Sequence, residues 1–400
     1  MASRVYLDNA ATAPLRPEVL EAMLPWMGLA EDGSYGNAST LSVEGKRARQ
    51  ALEAARASIA ETIGASPPEI IFTSGGTESN NSLIAGLTAG IRQKYGRDKG
   101  GNLVITSAFE HHAILEPVHN LHSNGWQTEL LKPTRNGLIE PELLAAAIQA
   151  AEPTAQAAKT TACSLVSIMT VNNEIGTVQP IAELAEIAHA SGALFHTDAV
   201  QALGKIPFDV RSSAVDAASF SAHKLGGPKG VGAFFLRSLT PFKSFMLGGK
   251  QERGLRSGTA NVAGAVGMAR ALQLALAEQA VEQSRLLTLR DQLLDGLTVL
   301  SPRIHSTIDY QQVATLPHII SILVDGYESE SLILSLDEAG FAVSGGSACS
   351  TGSLDPSHVL LALGLDRQQA QSVLRISLGH QTTASEITAF GQAVASIVSR

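Results

Sequence analysis

An α/β fold with a largely parallel sheet is predicted by two features of this 400-residue chain. Short apolar runs of strand length alternate with longer amphipathic segments, the pattern in which helices cross over and return parallel strands. Hydrophobic residues make up 44% and aromatics only 4%, with 36 glycines, a mixture suited to helices packed closely on a sheet.

The elements follow in order. PEVLEAMLPWM carries Val19, Leu20, Met23, Leu24 and Met27 on one helical stripe. GKRARQALEAARASIAETIG repeats the pattern with Leu52, Ala55, Ile59 and Ile63. Strands are expected at EIIF, NLVIT, SLVSIMTV, ALFHTD, AASFSA and VGAFFLR, with helices such as PIAELAEIAHASG between several of them. After Thr259 the texture changes, and an Ala/Leu/Gln-rich stretch from Val262 to about Leu297 reads as one helix linking two lobes. HIISILV and VLRISL are strands of the second lobe. A domain boundary near Asn261 follows, with residues 16–261 forming the larger domain and residues 1–15 and 262–400 the smaller.

Charge and composition exclude several classes. A net charge of −8 argues against a nucleic-acid or anionic-membrane platform. Two cysteines cannot build a disulfide framework, and the 11 histidines are scattered, so no metal site is expected. No apolar run reaches membrane-spanning length, and MASRVYLDNAATAPL lacks the apolar core of a signal peptide, so the expected location is cytoplasmic. The first strands show no GxGxxG, which argues against a dinucleotide-binding protein.

Chemistry concentrates at strand ends, where α/β ligand clefts open. In SFSAHKLGGPKG, Lys224 follows a buried strand, and Ser221 and His223 flank it with donors for an anion. Lys229 lies within the turn and reads as a surface charge. FHTDAVQALGK presents Asp198 at another strand end, as a helix cap or as a counter-charge for a cationic ring nitrogen. A lysine and such an acid are what a protein contributes to pyridoxal phosphate chemistry, and Gln201 is placed to reach the ring hydroxyl. IFTSGGTESNN is a strand, a turn and a helix start: Gly75 and Gly76 permit close backbone approach to a phosphate, and Thr77 adds a hydroxyl. AFEHHAIL offers His111 and His112, of which at most one need face the cleft to stack on a flat ring and carry protons. Finally, seven of the nine residues of SGGSACSTG are Gly, Ser or Thr, which reads as a surface loop exposing the thiol of Cys349. Cys163, beside an apolar strand, reads as packing.

The chain resembles the cysteine desulfurases, pyridoxal-phosphate enzymes of the class V aminotransferase family. YLDNAATAPL, YGNAST, TSGGTESNN, EHHAIL, VNNEIGTVQP, HTDAVQALGK, SFSAHKLGGPKG, GLRSGT, GGSACSTGSLDPSHVL and LRISLG match that family's motifs in order, from near residue 6 to near residue 380. Ala13 stands where many relatives carry threonine. The resemblance implies fold type I, with a mostly parallel seven-stranded sheet in the large domain and a smaller α/β domain.

It also implies roles. Lys224 carries the cofactor as a Schiff base, Asp198 pairs with the pyridinium nitrogen, Gln201 meets the ring hydroxyl, and His111 stacks on the ring. Gly76, Thr77, Ser221 and His223 bind the phosphate. Thr259 reaches the phosphate of the partner subunit, so a homodimer is implied. Asn173 and Arg375 hold the substrate carboxylate, a buried guanidinium needing an anionic partner. Cys349 is the nucleophile that takes sulfur from L-cysteine as a persulfide, leaving alanine, for delivery to an iron–sulfur scaffold or a thiolation acceptor. The alternatives are a cystine or selenocysteine lyase, another class V enzyme, or a catalytically silent binding partner that kept the fold.

Overall fold

The computed structural model describes residues 4–28, 34–96, 102–158, 163–346 and 355–398. The chain opens with strand β1 (Val5–Tyr6) and helices α1 (Pro17–Met23) and α2 (Val43–Thr62). The strands of the large sheet then arrive in turn: β2 (Ile70–Thr73), β3 (Leu103–Ser107), β4 (Gln127–Leu131), β5 (Leu165–Ser167), β6 (Leu194–Asp198), β7 (Ala217–Ser221) and β8 (Gly232–Leu236). Helices α3 (Gly76–Tyr95), α4 (His112–Ser123), α5 (Pro141–Ala158) and α6 (Ile181–Ala190) fall between β2 and β6. Beyond them, α7 (Val262–Leu300) leads to β9 (Ile304–Ser306), β10 (Ile319–Val324), α8 (Ser329–Glu338), β11 (Phe341–Ala342) and β12 (Ser344–Gly345). Two short helices, α9 (His358–Ala362) and α10 (Arg367–Ala370), precede β13 (Val373–Ser377) and α11 (Ala384–Val398).

The large sheet has the order β2-β8-β7-β6-β5-β3-β4. Only β8 is antiparallel to its neighbours, so β2 and β7 on either side of it run the same way as the rest. Strands β3, β7 and β8 are buried at every position, as expected when helices cover both faces. Alternate residues feed the two faces: Ile70, Phe72, Ile105, Phe220 and Phe235 enter the main core, while Ile71, Val104, Ala217 and Phe234 enter a second one beneath α3 and α4. The second sheet, β12-β13-β10-β9, packs with α8 and α11 around its own core. The N-terminal strand belongs there: β1 pairs with β11, and Leu7 is completely buried in that core.

The helix α7 is common to both cores. Val262, Met268 and Leu272 enter the first, and Leu289, Leu293 and Leu297 the second. Asn261 starts it, its side chain accepting from the Gly264 amide at 2.9 Å. Two expected elements differ. The expected helix over PEVLEAMLPWM ends at Met23 and continues as one 3₁₀ turn, Leu24–Met27, because Pro25 lacks the amide for another α-helical bond. The expected strand SLVSIMTV is a regular strand only over Leu165–Ser167. Its Met169 amide turns instead to the Glu110 carboxylate at 2.8 Å.

Candidate active site

Six parallel strands point their carboxyl ends at one edge of the large sheet, and the sequence places its polar residues there. Asp198 ends β6 and is 6% exposed. Its Oδ2 accepts from Asn80 Nδ2 at 2.6 Å and its Oδ1 from the Val200 amide at 2.9 Å, so the carboxylate is held from two sides. Asn80 lies on α3, whose first turn starts at the Gly75–Gly76 pair. A Cβ on Gly76 would stand 2.9 Å from Val200 Cγ2 and 3.5 Å from Ser221 Cβ. The start of α3 therefore nests against the ends of both β6 and β7, with room for backbone and none for a side chain. Gly75 takes φ 156° and ψ −177°, a conformation that glycine alone adopts readily, and it lies against the backbone of Gly232.

Ser221 ends β7, is 2% exposed, and its hydroxyl has no hydrogen-bond partner among the described residues. An unsatisfied buried hydroxyl facing the amino end of a 20-residue helix is what an anion would complete. His223 Nδ1 lies 3.2 Å from Thr12 Oγ1. Burial, and after it the charges of Lys224, Lys205 and Lys229, pushes that imidazole down to about 4. Lys224 follows in a single 3₁₀ turn, and its Nζ donates to the carbonyls of Ala10 and Ala11 at 2.7 and 2.8 Å.

The structure separates the two histidines. His111 caps α4: its Nδ1 accepts from the Ala113 amide at 3.0 Å, which leaves the ring proton of the neutral form on Nε2. Burial holds this imidazole below its usual range. Asp198 opposes that shift, and Lys224 and His112 add to it. His112 turns outward toward Glu116 and packs beside the ring of His358. Thr77 and Thr259 are exposed.

Arg375 lies in β13 at 2% exposure and links the two sheets. Its Nη2 donates to Asp8 Oδ1 at 2.9 Å and its Nη1 to the Asn173 carbonyl at 3.0 Å, while Nε has no partner among the described residues. Asp8 is the anionic partner that a buried guanidinium requires, and it is one of several site residues that sequence reasoning missed. The Asn9 and Ala10 amides are held by Ser377, which seats the N-terminal segment over Lys224. The motif YLDNAATAPL signalled this segment, but a motif does not say that its backbone carbonyls face a lysine. Arg256, in GLRSGT, pairs with Glu78 in the first turn of α3 at 2.7 Å and so ties the Thr259 segment to the Gly75–Gly76 turn. Burial raises the Glu78 carboxyl, but the Arg256 and Ser74 donors outweigh it and hold the group below its ordinary value.

Two buried acids are neighbours in sequence of candidate site residues. Glu110 precedes His111, accepts from Ser107 Oγ and the Met169 amide, and is pushed up to about 8 by burial. Glu174 follows Asn173, accepts from Ser357 Oγ at 2.6 Å, and is raised to about 8 for the same reason. A cleft of about 690 Å³ opens between the N-terminal segment, α7 and the segment after β13, with Lys224, Lys205 and His318 in its wall. Cys163 is fully buried, and burial pushes its thiol up to about 12, as packing requires. Cys349 lies outside the described residues.

Residues 5–390 match the family described as aminotransferase class-V. The chain is 43% identical over 387 residues to the cysteine desulfurase IscS of Dictyoglomus turgidum, covering 97% of this chain and 92% of that protein. It is 40% identical over 396 residues to the cysteine desulfurase IscS of Methanosarcina thermophila, covering 99% and 92%. Among solved structures, a NifS-like protein superposes with a TM-score of 0.87 at 35% identity, over 99% of each chain. DndA from Streptomyces lividans does so with a TM-score of 0.75 at 36% identity, over 93% of this chain and 99% of that one.

Proposed function

This chain belongs to the aminotransferase class-V family, and we propose within it a cysteine desulfurase that moves the sulfur of L-cysteine onto its own Cys349 and releases L-alanine. One observation carries the reading: a doubly anchored Asp198 and an unpartnered buried Ser221 hydroxyl meet where α3 begins, and Lys224 follows Ser221 in a single 3₁₀ turn.

That donor set fits pyridoxal phosphate. Ser221, His223 and the Gly75–Gly76 turn would hold its phosphate, Asp198 its ring nitrogen, Gln201 its ring oxygen and Lys224 its aldehyde carbon. His111 would lie against the ring. When bound, the cofactor supplies an electron sink for the bonds around the substrate α-carbon.

The chain's own residues supply the rest. Asn80 and the Val200 amide keep Asp198 oriented as an acceptor, so the carboxylate serves as a fixed counter-charge. Arg375 and Asn173 take the substrate carboxylate, which sets the α-hydrogen toward Lys224 Nζ, the base that removes it. The Cys349 thiolate then forms an S–S bond to the substrate sulfur as the C–S bond breaks. The bonding pair stays with the substrate carbon, which takes up a proton to become the methyl group of alanine, and Lys224 Nζ returns the α-hydrogen to the neighbouring carbon. His111, neutral and protonated on Nε2, is the group to carry protons at that face. Persulfide on Cys349 is then passed to an acceptor protein, of the iron–sulfur scaffold or thiolation kind. The exposure of Thr259, tethered through Arg256 to the start of α3, supports a homodimer in which it serves the partner's phosphate site.

The test is incubation with L-cysteine, with alanine and protein-bound persulfide measured in the wild type and in Cys349→Ser. The wild type is expected to form both in equal amounts. The variant is expected to bind cofactor and form no persulfide. Sulfur transfer to an acceptor by the variant would remove Cys349 from the reaction.

A further inference from the structure

Lys205 is a half-buried lysine that the mechanism above does not use. It stands one helical turn beyond Gln201, in the compact turn that follows β6, where the Lys205 and Ile206 amides bond back to the Ala202 carbonyl. Its Nζ donates to Gln201 Oε1 at 2.8 Å and meets His318 Nε2 at 3.2 Å. Both partners are neutral: His318 is 5% exposed, and burial, followed by the charges of Lys205 and Arg375, holds its imidazole well below its usual range.

Donor and acceptor roles around Gln201 are then fully determined. The ammonium form of Lys205 carries donors and no acceptor, so the amide oxygen faces it. The opposite end of the amide donates from Nε2 to the Ala10 carbonyl at 3.0 Å, and a carbonyl can only accept. The two constraints agree, and one Nε2 hydrogen is left over. Ala10 O also accepts from Lys224 Nζ, so the Gln201 amide and the reactive amine are neighbours on one oxygen.

We propose that Lys205 is a positioning residue for the cofactor: by engaging Gln201 Oε1 it fixes the amide with a hydrogen to donate to the ionised ring oxygen of pyridoxal phosphate. The proposal rests on the cofactor reading above. Without Lys205, the Ala10 carbonyl is the one group named here that still holds the Gln201 amide, and the hydrogen aimed at the ring oxygen loses its second anchor. Burial, and then the charge of Lys224, pushes the Lys205 amine down to about 7, and the donor role survives on either side of that value.

The experiment is a double-mutant cycle on Lys205→Met and Gln201→Met, reading pyridoxal phosphate affinity by titration and the visible spectrum of the loaded enzyme. Lys205→Met is expected to weaken binding by about 5–20-fold, the loss of one partly buried hydrogen bond, and to move intensity from the yellow band of the ionised Schiff base to the near-ultraviolet band of its neutral form. In the Gln201→Met background the same change is expected to cost less than about twofold, because the group it orients is gone. Where the methionine variant is recovered only as aggregate, Lys205→Ala, which likewise lacks a donor, is put through the same cycle. An unchanged affinity and spectrum, or an equal loss in both backgrounds, overturns the proposal. A wild type that takes up no pyridoxal phosphate overturns the cofactor reading itself, a distinct outcome visible before any variant is made.

Discussion

Replacing Arg375 by lysine tests the substrate-carboxylate assignment most directly. Arginine carries five N–H donors in a planar fork, and here one Nη2 hydrogen serves Asp8 and one Nη1 hydrogen the Asn173 carbonyl. Nε and the remaining hydrogens are uncommitted among the described residues. A substrate carboxylate engaging them would both gain charge-assisted bonds and satisfy a buried donor. Lysine keeps the charge and can still pair with Asp8, but a single nitrogen cannot serve Asp8 and a second carboxylate in the fork's geometry. Losing one charge-assisted bond costs about 1.5–3 kcal/mol, which is a ~10–150-fold rise in the KM for L-cysteine. The assay is alanine formation against L-cysteine concentration, with kcat and pyridoxal phosphate affinity as controls expected to change by less than about threefold. A KM within about threefold of wild type, accompanied by lowered thermal stability, would show that Arg375 only pins Asp8 to Asn173.

Two further predictions concern buried charge. The Glu174 carboxyl, raised by burial from 4.5 to about 8, keeps its proton in the folded chain at pH values where the unfolded chain has lost it. Its contribution is therefore full below pH 4.5 and is lost as pH rises to about 8, so the urea midpoint of Glu174→Gln should gain on the wild type across that window; a constant difference would refute the shift. Arg56 is 1% exposed and grips Glu252 through two bonds of 2.6 and 2.8 Å. Arg56→Met should leave Glu252 buried and uncompensated at a cost of about 3–5 kcal/mol in urea unfolding, and a loss below about 1 kcal/mol would count against it.

Much of the site was legible because its chemistry sits at strand ends. Lys224, Asp198 and the Gly75–Gly76 turn each follow an apolar run, and that local pattern survives folding intact. What pairs with them was not legible. Asp8 meets Arg375 across 367 positions, and nothing near either residue marks the other. The carbonyls of Ala10 and Ala11 carry no side-chain signature at all. Among the elements, β4 was missed because QTELL is a sheet-edge strand with mostly exposed side chains, so the apolar run that marks a buried strand is absent. SLVSIMTV looked longer than β5 because burial continues past Ser167 while regular pairing does not. Lys205 carried no signal of its own in the sequence, since the amide it bonds and the His318 ring are brought together only by the fold.

The pairing of Val5 with Phe341 and of Tyr6 with Ala342 has a consequence for biosynthesis. At ~5–20 residues per second, the amino-terminal strand waits roughly 20–70 s before the ribosome releases the segment it must join. Throughout that delay the carbonyls of Ala10 and Ala11 have no seat from which to reach Lys224. The Lys224 amine is thus enclosed only at the end of translation, and a prematurely terminated chain carries that lysine without its carbonyl partners.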